Sequence, residues 1–130
     1  MKKMMLSLVL ITSFLSADLK NITVSKSFLN KNIKIIDIRT KGEWIETGMV
    51  GGSYPITFFK EDGSYDVNNF LSKLNSVVDK NEEFAIICRT GSRTSMVGDY
   101  LGNKLGYKVI NLRGGINKLF REGYRPVRIK

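Results

Sequence analysis

The sequence predicts an α/β fold, a mainly parallel sheet flanked by helices. Three observations predict it. Short β-branched apolar runs recur along the chain, amphipathic helical stretches lie between them, and the linkers are short and free of repeats, Pro-rich stretches and low-complexity tracts. Strands that alternate with helices are joined most simply as parallel neighbours, and in such sheets ligands bind beyond the carboxyl ends of the strands.

Residues 33–38 (Ile-Lys-Ile-Ile-Asp-Ile) are short and nearly all apolar, which reads as a strand covered on both faces. Residues 43–47 form at most a helical turn. Residues 53–59 read as a further strand, weakened by Pro55. Asp66 can cap a helix whose apolar positions Val67, Phe70, Leu71, Leu74, Val77 and Val78 fall on one face. Residues 83–88 repeat the buried-strand pattern and end on Cys88. The helical spacing of Met96, Val97, Tyr100, Leu101 and Leu105 predicts a helix over 92–105, with Gly106 suited to its C-terminus. A strand over 107–112 and a short helix over 116–121, stopped by Gly123, complete the pattern.

The N-terminus reads differently. Met1-Lys2-Lys3 is a short positive region, residues 4–15 are almost unbroken apolar chain, and Ser16-Ala17 precedes polar Asp18. This is the pattern of a secretory signal, and the apolar run is short of the ~20 residues that a spanning helix needs. The expectation is a signal over 1–17, cleaved after Ala17, and one domain over 18–130, periplasmic or otherwise extracytoplasmic, with no stable membrane insertion after cleavage.

Composition narrows the chemistry. The 130 residues are 42% hydrophobic and 25% charged, values of a globular chain of single-domain length. One cysteine allows no internal disulfide. With no histidine in the chain, a Cys/His zinc site and any Cys-His or Ser-His pair are excluded. Lys and Arg number 21 against 12 acids, a net charge of +9, and cleavage would remove only Lys2 and Lys3 of these. The excess favours anionic ligands. The basic residues are scattered and not interleaved with aromatics, so a nucleic-acid partner is not expected.

The lone cysteine stands where the parallel sheet would place a site. Cys88 ends a strand, Arg89, Thr90, Gly91, Ser92, Arg93 and Thr94 follow, and then a helix begins. Gly91 permits the backbone angles of a tight curl. Inward-facing N–H groups in such a curl make an anion nest that favours ionised sulfur. Arg89 and Arg93 add permanent charge, and Ser92 and Thr94 offer hydroxyls. The bland alternative is a small buried hydrophobe at a strand end, but an extracytoplasmic free cysteine is a liability unless it is used or sealed. The catalytic reading requires an accessible sulfur in a loop that closes around a pocket. Elsewhere, Asp37 and Arg39 read as a structural ion pair braced near Glu43, with Arg39 at the anion site as the alternative. Trp44 reads as packing before pocket rim, Gly114-Gly115 as a turn before phosphate binding, and Met49 and Met96 as core.

The segment 88–94, Cys-Arg-Thr-Gly-Ser-Arg-Thr, resembles the active-site loop of the rhodanese family, a cysteine followed by four residues and arginine. The resemblance extends to Ile36-Asp37-Ile38-Arg39, Glu43-Trp44 and 47–53, and to 109–115 with 123–127, in register across 33–127. Met49, Ser53 and Phe120 depart from the residues usual there. The resemblance implies a three-layer fold and a sulfurtransferase that needs no cofactor or metal. Cys88 would take sulfane sulfur from a small anionic donor such as thiosulfate, with 89–94 binding the substrate. The persulfide would pass its sulfur to cyanide, a thiol or a protein acceptor. A phosphatase or arsenate reductase loop has five residues before its arginine, one more than here. A disulfide oxidoreductase lacks its second cysteine. A persulfide carrier that does not turn over is the remaining alternative.

Overall fold

The computed structural model describes residues 18–129, so the expected secretory signal over 1–17 lies outside the described residues. Five strands, β1 (Leu19–Thr23), β2 (Lys34–Asp37), β3 (Tyr54–Pro55), β4 (Phe84–Ile87) and β5 (Val109–Arg113), form one sheet in the order β1-β5-β4-β2-β3. Every pairing in it is parallel. Four helices, α1 (Lys41–Thr47), α2 (Val67–Asn75), α3 (Ser92–Gly98) and α4 (Gly115–Arg121), connect or follow the strands, and a single 3-10 turn spans Ser27–Asn30.

Two apolar layers explain why β2, β4 and β5 carry so few polar residues. Ile36, Phe84, Ile86 and Val109 face one side, where Phe70 and Leu74 of α2 and Val97 of α3 cover them. Ile35, Ala85, Ile87 and Ile110 face the other, under Phe28, Ile116 and Leu119 of α4. Alternate residues of one strand thus serve two cores, and the result is the three-layer α/β architecture.

Several boundaries differ from the sequence reading. Leu19–Thr23 carries no apolar run, yet it forms edge strand β1 in register with β5. The third strand shrinks to Tyr54–Pro55, because proline has no N–H to give and the strand lies at the edge. Residues 43–47 belong to a seven-residue helix, fixed at its start by a reciprocal cap. Glu43 N–H donates to Thr40 Oγ1, and Thr40 N–H donates to Glu43 Oε1. Asp66 caps α2 through the Asn69 N–H, but the helix stops at Asn75 and the Val77 and Val78 amides turn back to Leu74 O. The helix expected over 92–105 is α3 followed by a wider π-helical stretch, Asp99–Lys104. Gly102 lies there against β1, and a Cβ on it would sit 2.9 Å from Leu19 Cβ.

Candidate active site

β4 delivers Cys88 to its carboxyl end, and the loop turns at once. Gly91 adopts φ +103° and begins α3. That turn sends the Gly91 N–H back to Cys88 Sγ at 3.2 Å. A second element holds the curl from behind. In the first turn of α4, Ile116 N–H donates to Cys88 O at 2.9 Å and Asn117 N–H to Arg89 O at 3.0 Å. The close approach depends on Gly115, since a Cβ there would lie 2.4 Å from Arg89 O. The Gly114-Gly115 turn therefore also backs the cysteine loop, which the sequence alone did not disclose.

The seven loop residues separate into three groups. Cys88, Gly91 and Thr94 meet at the sulfur, where the thiol donates to Thr94 Oγ1 at 3.6 Å. Thr90 and Ser92 are exposed, their hydroxyls 3.5 Å apart. Arg89 and Arg93 converge on a residue that the sequence reading assigned elsewhere. Arg93 donates through Nη1 and Nη2 to the two carboxylate oxygens of Glu43, each at 2.7 Å, and Arg89 Nε lies 3.6 Å from Glu43 Oε2. Burial pushes the Glu43 carboxyl up, but the bonds from Arg93 and Thr40 outweigh it and hold the group at about 2, against its ordinary 4.5. The same pairing raises Arg93.

Access is a correction. The sequence reading required an exposed sulfur, whereas the Cys88 side chain is 0% exposed and packs with the apolar layer under α3. The loop does curl around the sulfur, but it closes the sulfur in. A cleft of about 440 Å³ opens beside the loop, lined by Thr40, Glu43, Phe59, Lys60, Arg89, Arg93 and Met96 and not by Cys88. Contact between the sulfur and a donor in this cleft therefore requires the shell between them to part. A separate cleft of about 380 Å³, between 29–35 and 50–54, holds neither the cysteine nor the loop arginines.

Arg39 does not join the anion site. It is fully buried, donates to both oxygens of Asp37, and reaches Thr47 Oγ1 and Gly48 O. It ties β2 to the end of α1, and Glu43 stays outside this pair. Trp44 and Met49 are buried, but Met96 is 58% exposed, so the expectation of a core methionine fails there. Helical spacing placed Met96 near the apolar stripe, and the cleft leaves that flank uncovered.

The sequence model of the rhodanese-like domain matches residues 23–122. The Arabidopsis thaliana mitochondrial protein HIGH ARSENIC CONTENT 1 is 27% identical over 105 residues, which cover 80% of this chain and 62% of that protein. A Rickettsia prowazekii uncharacterized protein is 29% identical over 68% of this chain and 76% of its own length. Among solved structures, a Staphylococcus saprophyticus protein superposes with a TM-score of 0.60 at 29% identity, over 80% of this chain and 96% of that one. The rhodanese-like domain protein of Staphylococcus aureus gives 0.57 at 28% identity, over 75% and 87%.

Proposed function

The chain belongs to the rhodanese-like domain family, generally of sulfurtransferase type, and from this we propose that it moves a sulfane sulfur from thiosulfate or a related anionic donor through a persulfide on Cys88. The observation that carries the proposal is the closed curl in which the Gly91 amide donates to the sulfur of the only cysteine. The Cys88 thiolate attacks the outer sulfur of thiosulfate, a Cys–S–S bond forms, the S–S bond of thiosulfate breaks, and sulfite leaves with the electron pair. Cyanide or a thiolate then attacks the terminal sulfur, and the Cys88 thiolate returns. Gly91 donates to negative charge on the sulfur, and Arg93 and Arg89 supply the cationic wall for the donor. Since Glu43 occupies two arms of Arg93, the donor must displace it or bind the remaining guanidinium N–H groups. The proposed setting is extracytoplasmic, on the strength of the segment 1–17.

The sealed sulfur favours a second reading, in which the domain shelters a persulfide for a protein acceptor and turns over free thiosulfate poorly. Mass spectrometry after thiosulfate treatment, followed by cyanide turnover, separates the two. Loading by the mass of one sulfur atom with steady thiocyanate release marks the enzyme; loading with little release marks the carrier. Cys88→Ser should abolish loading, and a serine variant that still formed thiocyanate would refute the mechanism. The Arabidopsis relative is named for high arsenic content, which makes an arsenic oxyanion such as arsenate a competing substrate to test. Arsenate reduction with glutathione, if faster than sulfur transfer, would overturn the proposal.

A further inference from the structure

Four polar side chains are buried among the described residues. Asp37 and Arg39 satisfy each other, whereas Thr94 and Asn111 lie on a path that leads from the sulfur to the sheet edge. The Cys88 thiol donates to Thr94 Oγ1 at 3.6 Å. Thr94 Oγ1 donates to Asn111 Oδ1 on β5 at 2.5 Å, with Gly91 O a longer alternative at 3.1 Å. Asn111 Nδ2 donates to Asn21 Oδ1 on β1 at 2.9 Å, across directly paired register positions. Asn21 is exposed, so one end of the path is the reacting atom and the other is solvent.

Each link has a direction, because a hydroxyl carries one proton and an amide has one donating and one accepting end. In the direction observed, the sulfur is the donor, which suits the thiol. A thiolate or a terminal persulfide sulfur has no proton and requires donors, yet the Thr94 proton is committed to Asn111. Half-turns of both amides reverse the path without moving its backbone. Asn21 then donates to Asn111, Asn111 to Thr94, and Thr94 to the sulfur. Water at Asn21 satisfies whichever end of that amide is left free.

We propose that Thr94, Asn111 and Asn21 form a reversible positioning relay whose direction follows the charge on the Cys88 sulfur, so that an exposed residue of β1 biases how readily the buried sulfur ionises. The proposal rests on Cys88 being the sulfur-transfer nucleophile. Ionisation sends the thiol proton to solvent; nothing but hydrogen-bond direction passes along the relay. The charged groups around the loop are Arg89 and Arg93 from the loop and α3, Glu43 from α1, the Asp37–Arg39 pair at the end of β2, Lys60 and Glu61 across the cleft, Arg113 from β5 and Lys118 from α4. Among the described residues, none of these hydrogen-bonds the sulfur.

Asn21→Asp tests the relay. A carboxylate only accepts, so it holds Asn111 with its donating end outward and keeps the relay in the thiol direction. The readout is the pH profile of iodoacetamide alkylation, which reports the single cysteine without reference to turnover. The midpoint should move upward, leaving roughly tenfold less thiolate at neutral pH, the order expected for one lost hydrogen bond to a charged group. Thr23→Asp puts the same charge further along β1 and should leave the midpoint in place. An unmoved midpoint in Asn21→Asp, or equal movement in both variants, overturns the relay. If no variant and not the parent chain forms a persulfide, the sulfur-transfer reading fails, while the alkylation profiles still decide the relay.

Discussion

Glu43 accepts two 2.7 Å hydrogen bonds from Arg93, a residue 50 positions further along the chain. The same carboxylate closes the cap of α1, so one side chain both starts a helix and neutralises the arginine of the cysteine loop. Glu43→Gln keeps a capping group and frees the charge of Arg93 for a donor anion. Thiosulfate KM should fall roughly two- to fivefold, the scale of a partly exposed ion pair. Steady-state kinetics checks this, and an unchanged or higher KM refutes it.

Acid stability follows from the same contact. A carboxyl held at about 2 when folded and near 4.5 when unfolded contributes stability that is fully present above pH 4.5. That contribution is lost as pH falls from there toward 2. Urea unfolding across this window should show the stability gap between the parent chain and Glu43→Gln narrowing as the solution is acidified. A gap of constant size would mean that the carboxylate contributes nothing to the slope.

Arg39→Leu leaves Asp37 buried and unpaired, together with Thr47 and Gly48 oxygens that lose a donor. Breaking one half of a buried pair costs on the order of 3–5 kcal/mol, and Arg39→Lys should not restore it because the fork geometry is lost. Denaturant unfolding measures the cost. Persulfide loading per folded molecule should hold steady, since Arg39 does not face the anion site.

Gly115→Ala and Gly63→Ala separate two reasons for a glycine. Both positions have positive φ, but only at Gly115 would the new methyl meet backbone, 2.4 Å from Arg89 O. Gly63→Ala should lose about 1–2 kcal/mol, the cost of left-handed backbone alone. Gly115→Ala should lose clearly more and also slow persulfide loading, because the backing of the Cys88 loop is displaced. Equal stability losses, with unchanged loading, would remove α4 from any part in shaping the loop.

The sequence made β2, β4 and β5 legible because strands covered on both faces are written as short runs that are mostly apolar, wholly so in Phe84–Ile87. It concealed β1, whose edge position leaves three of its five residues exposed and none buried, and so without a hydrophobic pattern. Thr40 and Glu43 stand at capping-box spacing at the start of α1, but the reading of 43–47 as at most a helical turn makes no use of it. The cysteine loop could be read from its own residues. Its closure could not, since Glu43 and Gly115 come from distant segments and meet the loop only once the sheet is assembled. Met96 shows the limit of periodicity: spacing gives the face of a helix, but not how far the neighbouring layer extends over it.

The enclosure of Cys88 has a chemical corollary. Two copies of the chain cannot join sulfur to sulfur while both sulfurs remain inside their shells, and the chain has no second thiol to offer instead. In air, the appearance of covalent pairs thus becomes a clock for how often the shell parts.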